Sequence, residues 1–195
     1  MEIGKPELDR DNLPQVQDMV SMCAGLVIVD EKGGIIRLVH YTTQEYFQRR
    51  TKRWFPEAET EITETCVFYL SLDTFKSGYC KTDSEFEERL QLNQLYDYAA
   101  HHWSHHARAA SNSSHGVTKF LRKQAQVEAS SQALIAVMQG SGHSRYSQEI
   151  PKQMTGLHLA AYFGVYNAVK LLIGSENPNP EDTYDRTPIS WAAAR

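Results

Sequence analysis

Four histidines in one short segment are the side chains whose type and spacing come closest to a metal site. They form two pairs with members four residues apart, His101 with His105 and His102 with His106. On a helix such pairs share a face, and zinc sites use imidazole ligands at this spacing. The alternative is an ordinary helix with half-buried and solvated histidines. We favour this alternative and predict no metal ligand here.

His40 is a second candidate, because the surrounding sequence predicts a strand that ends there and a helix that begins at once. Thr42 and Glu45 have the Thr-x-x-Glu spacing of a capping box. Tyr41 and Tyr46 then take the positions of a hydrophobic staple. This pattern predicts a defined place for His40 but no chemical role, and a structural histidine is the alternative to a ligand contact.

A cluster of cations follows the same predicted helix, and a further arginine lies on the strand before it. Their spacing is compatible with contacts to DNA phosphates. They can equally complement a helix C-terminus or pair with acidic residues downstream. The net charge of −4 favours the second interpretation, so a nucleic-acid partner is not expected. The cations are Arg37, Arg49, Arg50, Lys52 and Arg53, and the acids are Glu57, Glu59 and Glu61.

Motifs of common enzyme classes are missing from the sequence. It holds no Gly-x-x-x-x-Gly-Lys-Ser/Thr phosphate loop, no His-Glu-x-x-His and no Gly-x-Ser-x-Gly. The cysteines Cys23, Cys66 and Cys80 are widely spaced, which predicts free thiols in a reducing compartment. We therefore predict a protein that is not an enzyme and has no cofactor.

The composition is that of a folded protein, with 195 residues, 41% apolar and 23% charged. No apolar run reaches the roughly 20 residues that span a bilayer, and the N-terminus lacks the apolar core of a signal peptide. These features predict a cytoplasmic protein without a membrane partner.

Three regions are predicted, in a mainly α fold. Residues 1–55 read as helix, β-hairpin and helix, with Asn12 as the first cap and Gly25 as the first helix end. This order predicts a small winged helix. Residues 56–145 read as a helical connector, with a second capping box at Thr82 and Glu85 and a flexible joint after residue 139.

The third region, residues 146–195, contains an internal repeat. Residues 155–161 match residues 187–193 position for position, at a separation of 32. That is close to the ankyrin period of about 33, so we predict one full ankyrin repeat and one truncated copy. The motif positions are Thr155, Gly156, Leu157, His158, Ala160, Ala161, Gly164, Leu171, Leu172, Thr187, Pro188, Trp191, Ala192 and Ala193.

Because repeats bury their apolar faces against neighbours, the truncated copy is expected to pack poorly. We expect residues from about 176 onward to be weakly protected. The side chains expected to lack cover are Leu171, Leu172, Ile189 and Trp191.

Residues 23–47, 94–107 and 155–195 together resemble fungal NACHT–ankyrin proteins, which are similar to the NLR immune switches of the STAND class. The first segment is similar to the winged helix that follows the NACHT ATPase domain. In the second, Tyr98, Ala99, Trp103 and His106 match packing positions of a family helix. The winged-helix motif positions are Cys23, Gly25, Leu38, His40, Thr42, Glu45 and Tyr46.

The resemblance implies a non-enzymatic fragment of a signalling protein. The winged helix would relay the nucleotide state of an absent NACHT ATPase to ankyrin repeats that bind protein partners. His40 would contact the β-phosphate of ADP in the parent protein, as in the plant Met-His-Asp motif, although Tyr41 stands where that motif has Asp. The alternative is a DNA-binding winged helix fused to ankyrin repeats.

Overall fold

The computed structural model describes residues 14–30, 35–110, 115–139, 144–175 and 177–194. The chain divides into two compact units, Met1–Pro56 and Glu57–Arg195. Across the described residues the fold is mainly helical, with one small antiparallel sheet of two strands. The predicted mainly α class with a β-hairpin is therefore confirmed at this level.

The first unit has the predicted order of helix, hairpin and helix. The strands are antiparallel, with Val27 opposite Leu38 and Val29 opposite Ile36. Gly25, at φ +78°, lies in the turn that leads into the hairpin, a conformation that glycine adopts without steric cost. The predicted cap Asn12 lies outside the described residues. The elements are α1 (Val16–Met22), β1 (Val27–Asp30), β2 (Ile35–Leu38) and α2 (Tyr41–Trp54).

The cap predicted for α2 is wrong by two residues. The helix begins at Tyr41, and its N-cap is His40, whose Nδ1 accepts a hydrogen bond from the Thr42 amide at 3.2 Å. Thr42 lies inside the first turn, so it cannot form the predicted capping box with Glu45. Glu45 instead lies 3.7 Å from Arg49 in an exposed ion pair. The staple assigned to Tyr41 and Tyr46 fails for the same reason, since both are helical and exposed.

The first unit has no buried side chain among its described residues, 14–30 and 35–56. Large apolar side chains on both helices and both strands are exposed. An isolated two-stranded hairpin is marginally stable in water, so this unit needs additional apolar cover. Its exposed large apolar residues are Val16, Met22, Leu26, Ile28, Val29, Ile35, Ile36, Val39, Tyr41, Tyr46, Trp54 and Phe55.

The second unit is a bundle of helices that ends in a helical repeat. The second predicted capping box is present in part, since the Thr82 hydroxyl accepts from the Glu85 amide. The carboxylate of Glu85 accepts from the Lys81 amide instead of that of Thr82. The helices are α3 (Ala58–Leu70), α4 (Asp83–Leu92), α5 (Tyr96–Ala109), α6 (His115–Leu121), α7 (Gln124–Gln139), α8 (Gly156–Phe163), α9 (Tyr166–Ile173) and α10 (Pro188–Ala193), with a 3-10 turn at Asp73–Phe75.

An aromatic core connects the bundle to the repeat. Trp103 on α5 is fully buried and meets Phe120 on α6 and Phe163 on α8 edge to face, at centroid distances of 5.9 and 5.4 Å. Phe75 stacks on Tyr96, whose hydroxyl donates to the carbonyl of residue 129. Such pairs each stabilise a fold by about 1 kcal/mol beyond the effect of their buried area, so they strengthen the packing of α8 on α5 and α6.

The segment that enters the repeat is fixed by two polar side chains. Asp83 accepts hydrogen bonds from the Arg145 and Ser147 amides and from the Ser147 hydroxyl. The buried amide of Gln132 bonds both backbone groups of Cys80 and the carbonyl of Ser147. These bonds hold residues 145–147 against α4 and α7.

In the repeat region, α8 ends at Gly164, which has φ +66°, and α10 packs against α8. The expectation that residues after about 176 lack cover is wrong for Trp191, which is buried, and Leu172 is buried as well. It is right for Leu171 and Ile189, which are 52% and 77% exposed. Helix α10 is therefore docked on α8 through Trp191, while Leu171 and Ile189 remain exposed. In the described parts of the chain, no helix has the length and apolar character that crossing a bilayer requires.

Candidate functional site

An open groove of about 580 Å³ lies in the first unit, where the hairpin meets the start of α2. Its wall combines apolar strand residues with an imidazole, a guanidinium and a phenol. The lining residues are Ile28, Arg37, Leu38, Val39, His40, Tyr41 and Gln44. Two of the winged-helix motif positions, Leu38 and His40, lie in this wall.

His40 is held by the helix that it caps. Its Nδ1 accepts from the Thr42 amide and lies 2.8 Å from the Thr42 hydroxyl, while its ring lies 4.5 Å from that of Tyr41. Nδ1 is therefore occupied by the backbone, which leaves Nε2 as the ring nitrogen available to a ligand in the groove. The position of His40 is fixed by its own cap bond and by neither the capping box nor the staple that the sequence predicted.

Two further features favour an anion in this groove. Arg37 lines it and is 61% exposed, with a loose contact of 3.8 Å to Asp30. The groove also adjoins the N-terminus of α2, where the helix dipole is positive. However, the Thr43 and Gln44 amides at this N-terminus already donate to the His40 carbonyl, so they are not available to a bound anion. A bound phosphate would therefore rely on the His40 and Arg37 side chains.

The other motif residues of this unit have structural positions. Cys23 follows the last residue of α1 and is half-buried. Tyr46 lies on α2 with the Arg50 guanidinium 5.2 Å from its ring centroid. These residues shape the unit without lining the groove.

The basic cluster lies on α2 and is exposed. Arg49 is 80% exposed and is only loosely paired with Glu45. One of the acids expected to neutralise the cluster, Glu59, bonds His106 in the second unit. Helix α2 carries four basic side chains and one acidic one, so it presents a local positive charge on a chain that is acidic overall.

Two of the four histidines on α5, His106 and His101, have different hydrogen-bond partners. His106 is half-buried, with Nδ1 2.6 Å from a Glu59 oxygen and Nε2 3.0 Å from the Tyr98 hydroxyl. His101 bonds Asp97 on its own helix. Among the described residues, no three His, Cys, Asp or Glu side chains are grouped so that they could hold a metal ion.

Burial lowers the pKa of His102, and the neighbouring histidines His101 and His106 lower it further. Its ring lies 4.7 Å from that of Tyr98. His102 is exposed, and its contact with Tyr98 is a ring-packing interaction on the surface of α5.

The bond from His106 to Glu59 links α5 to the first turn of α3. Replacing His106 with alanine is expected to lower the free energy of unfolding by about 1 kcal/mol, since Glu59 stays partly solvated. Urea unfolding of the two proteins measures this difference. His105→Ala removes an exposed neighbour and is the matched control. Equal losses in both variants would show that the bond adds nothing.

The repeat motif brings His158 to the N-terminus of α8. Its Nδ1 accepts from the Thr155 amide at 3.0 Å, and its Nε2 lies 3.0 Å from the Arg186 carbonyl. The ring therefore joins the start of the first copy to the loop that precedes the second. The second copy has Ser190 at this position, and its Thr187 hydroxyl accepts from the Ser190 amide.

The remaining motif positions divide between core and surface. The buried ones form the contact of α8 with its neighbours, and the exposed ones lie on the outer side of the repeat. Buried are Gly156, Leu157, Ala160, Leu172, Pro188 and Trp191; exposed are Gly164, Leu171, Ala192 and Ala193; Thr155, Ala161 and Thr187 are intermediate.

Sequence reasoning missed Asp182, which organises the loop before α10. Its buried carboxylate accepts from the amides of Tyr184 and Arg186 and from the indole of Trp191, at 2.7, 3.1 and 2.8 Å. Burial acts to raise its pKa, but these hydrogen bonds outweigh burial and hold the pKa below its usual range. The only sequence signal was the spacing of Asp182 and Arg186, which is common in exposed loops.

Comparison with known proteins gives one distant similarity. A curated relative, the azaphilone pigments biosynthesis cluster protein L of Monascus ruber, is 30% identical over 119 residues. The match covers 53% of this chain and 24% of that protein, so the chain spans about a quarter of the relative's length. No family model matches the sequence, and no solved structure matches it significantly.

Proposed function

We propose that this chain is the relay region of an NLR-like NACHT–ankyrin protein. In this proposal the first unit is a winged helix that senses the nucleotide state of a NACHT ATPase domain. The second unit passes that state to ankyrin repeats, which bind protein partners. The chain itself catalyses no reaction and acts in the cytoplasm.

The observation that carries the proposal is the exposed apolar surface of the first unit. In its described residues this unit buries no side chain, yet it exposes apolar groups on every element. Exposed apolar groups in this number, when they form a patch, are typical of an interaction site. A unit that relays the state of another domain must expose a surface to that domain, and its folded form then depends on the contact.

The groove at His40 supports a role in sensing a phosphate. Nδ1 is committed to the cap of α2, so the ring cannot turn away without a cost to the helix. A phosphate that bonded Nε2 would thereby be coupled to the position of α2. Arg37 in the same groove supplies a second positive group.

A binding experiment with a NACHT domain tests the proposal. The immobilised chain is exposed to a separately purified fungal NACHT ATPase domain, either loaded with ADP or free of nucleotide. We expect binding about tenfold tighter with ADP, which is an ordinary coupling energy. By calorimetry the chain alone should bind neither ADP nor ATP, because it lacks a phosphate loop.

His40→Asn is the informative variant. Asparagine is a good N-cap and keeps an acceptor for the Thr42 amide, but it lacks the outer nitrogen of the imidazole. We expect this variant to stay folded and to lose the preference for ADP. His101→Ala, outside the groove, should keep that preference. Equal binding with and without ADP, or an unchanged preference in His40→Asn, contradicts the proposed role.

A DNA-binding role is the second candidate, and the exposed cations of α2 favour it. If it is correct, the chain binds duplex DNA with an affinity that falls steeply as salt increases. Replacing Arg49, Arg50 and Arg53 with alanine should then abolish binding. The ADP experiment separates the two functions, since DNA binding requires no NACHT domain.

A further inference from the structure

We propose that His158 makes the docking of residues 177–194 on α8 sensitive to mild acid. In this proposal the docked loop covers a neutral imidazole, and uptake of a proton by that imidazole weakens the docking. The inference concerns the packing of the second unit and does not depend on the proposed relay function.

The hydrogen bonds of His158 define one neutral tautomer. Nδ1 accepts from the Thr155 amide, so it carries no proton, and Nε2 donates to the Arg186 carbonyl. The Thr155 hydroxyl lies 2.9 Å from the same Nδ1. The side chain is fully buried. The ring thus connects α8 to the docked loop in a neutral form, and a second proton on Nδ1 could bond only the Thr155 hydroxyl, at the expense of the bond from the Thr155 amide.

Protonation of Nδ1 would place an N–H against the N–H of Thr155. The bond to the Thr155 amide would be lost, and a positive charge would be buried in a site without water contact. Both effects disfavour the cation. A released loop would expose the ring to water, where the cation is stable.

The charged groups that act on His158 from the docked loop are Asp182 and Arg186. Burial lowers the pKa of His158, and neither the hydrogen bond to the Arg186 carbonyl nor the attraction of Asp182 overcomes this effect. That carboxylate already accepts from several donors, Arg186 included. The other helices packed on α8 carry charged or titratable side chains at exposed or half-buried positions, which include Arg108 on α5, bonded to the Phe163 carbonyl, His115 and Lys119 on α6, Glu128 on α7 and Lys170 on α9.

The direction of the pH effect follows from this lowered pKa. Between the ordinary pKa of about 6.5 and the lower value in the docked form, the released form binds more protons than the docked one. Docking is therefore fully stable above about pH 6.5, and it weakens as the pH falls below that value.

Hydrogen exchange on the full chain tests the proposal at pH 7.5 and pH 5.0, with rates corrected for the intrinsic effect of pH. We expect protection of residues 182–193 to fall by up to about 30-fold, the limit set by a released imidazole of pKa 6.5. Protection of α5 should stay within about twofold. Unchanged protection of residues 182–193 at pH 5.0 would overturn the proposal.

His158→Gln supplies the matched variant. Glutamine keeps a donor for the Arg186 carbonyl but has no titrating group, so protection should be lower at pH 7.5 and should not fall further at pH 5.0. His102→Gln should retain the wild-type fall. An NMR titration of the imidazoles in the unchanged protein gives an independent reading. A His158 that titrates at or above pH 6.5 while docked contradicts the inference.

Discussion

Replacing Gly156 with alanine is expected to lower the free energy of unfolding of the second unit by about 3 kcal/mol, the upper end for overpacking. A Cβ at this position would lie 2.0 Å from the Leu121 carbonyl oxygen and 2.7 Å from its carbon. These are backbone atoms at the end of α6, so no side-chain rotation relieves the collision. Urea unfolding followed by fluorescence measures the loss.

Gly174 provides the matched control for this variant. A Cβ there meets only backbone oxygens at ordinary distances, 3.8 Å and beyond, so Gly174→Ala should change stability by less than about 1 kcal/mol. Gly156→Pro, which would make the first copy like the second at Pro188, should be at least as harmful as alanine. If Gly156→Ala is neutral, α6 does not press against the start of α8 as described.

The close approach of α6 to Gly156 explains why the two copies differ at this position, where the first has glycine and the second has proline. In the second copy Pro188 begins α10, whereas in the first copy α6 approaches so closely that only a hydrogen fits. The match between the copies reveals where their helices begin. It does not reveal which neighbour covers each helix, because that neighbour lies about 35 residues earlier in the chain.

The start of α2 illustrates a different limit. Thr-x-x-Glu is a frequent cap pattern, and it is used at Thr82, so the same pattern at Thr42 predicts a cap there. At Thr42 a competing cap takes precedence, because the imidazole of His40 reaches the Thr42 amide from an extended backbone. Histidine is not among the preferred caps, so local preference alone gives the wrong residue.

Residues whose roles depend on partners far along the chain were the hardest to predict. His106 was expected to be a packing residue, but its bond to Glu59 spans 47 positions. Helical periodicity identifies the face on which His106 lies. The opposing side chain depends on how α3 and α5 pack, and a single sequence does not contain that information.

Replacing Asp182 with alanine is expected to detach residues 177–194 from α8. The change leaves the indole of Trp191 and the amides of Tyr184 and Arg186 without their acceptor. Removing one member of a buried polar network costs about 3–5 kcal/mol of stability. We expect this loss to exceed the free energy that holds so short a segment on α8. Limited proteolysis and hydrogen exchange of this segment measure the detachment, while α5 should stay protected.

Two variants show whether the acceptor or the charge at position 182 is needed. Asp182→Asn keeps an oxygen that can accept from the Tyr184 and Arg186 amides, and the lost charge faces a guanidinium that is 37% exposed. We therefore expect less than half of the alanine effect. Glu181→Ala, at an exposed neighbouring position, should have no effect.

If Asp182→Ala leaves Trp191 protected from exchange, the apolar contact of its ring holds α10 without the carboxylate. Asparagine and alanine are both uncharged, so an intermediate loss in Asp182→Asn shows that the retained side chain, with its bonds to the Tyr184 and Arg186 amides, supports the docking without the charge.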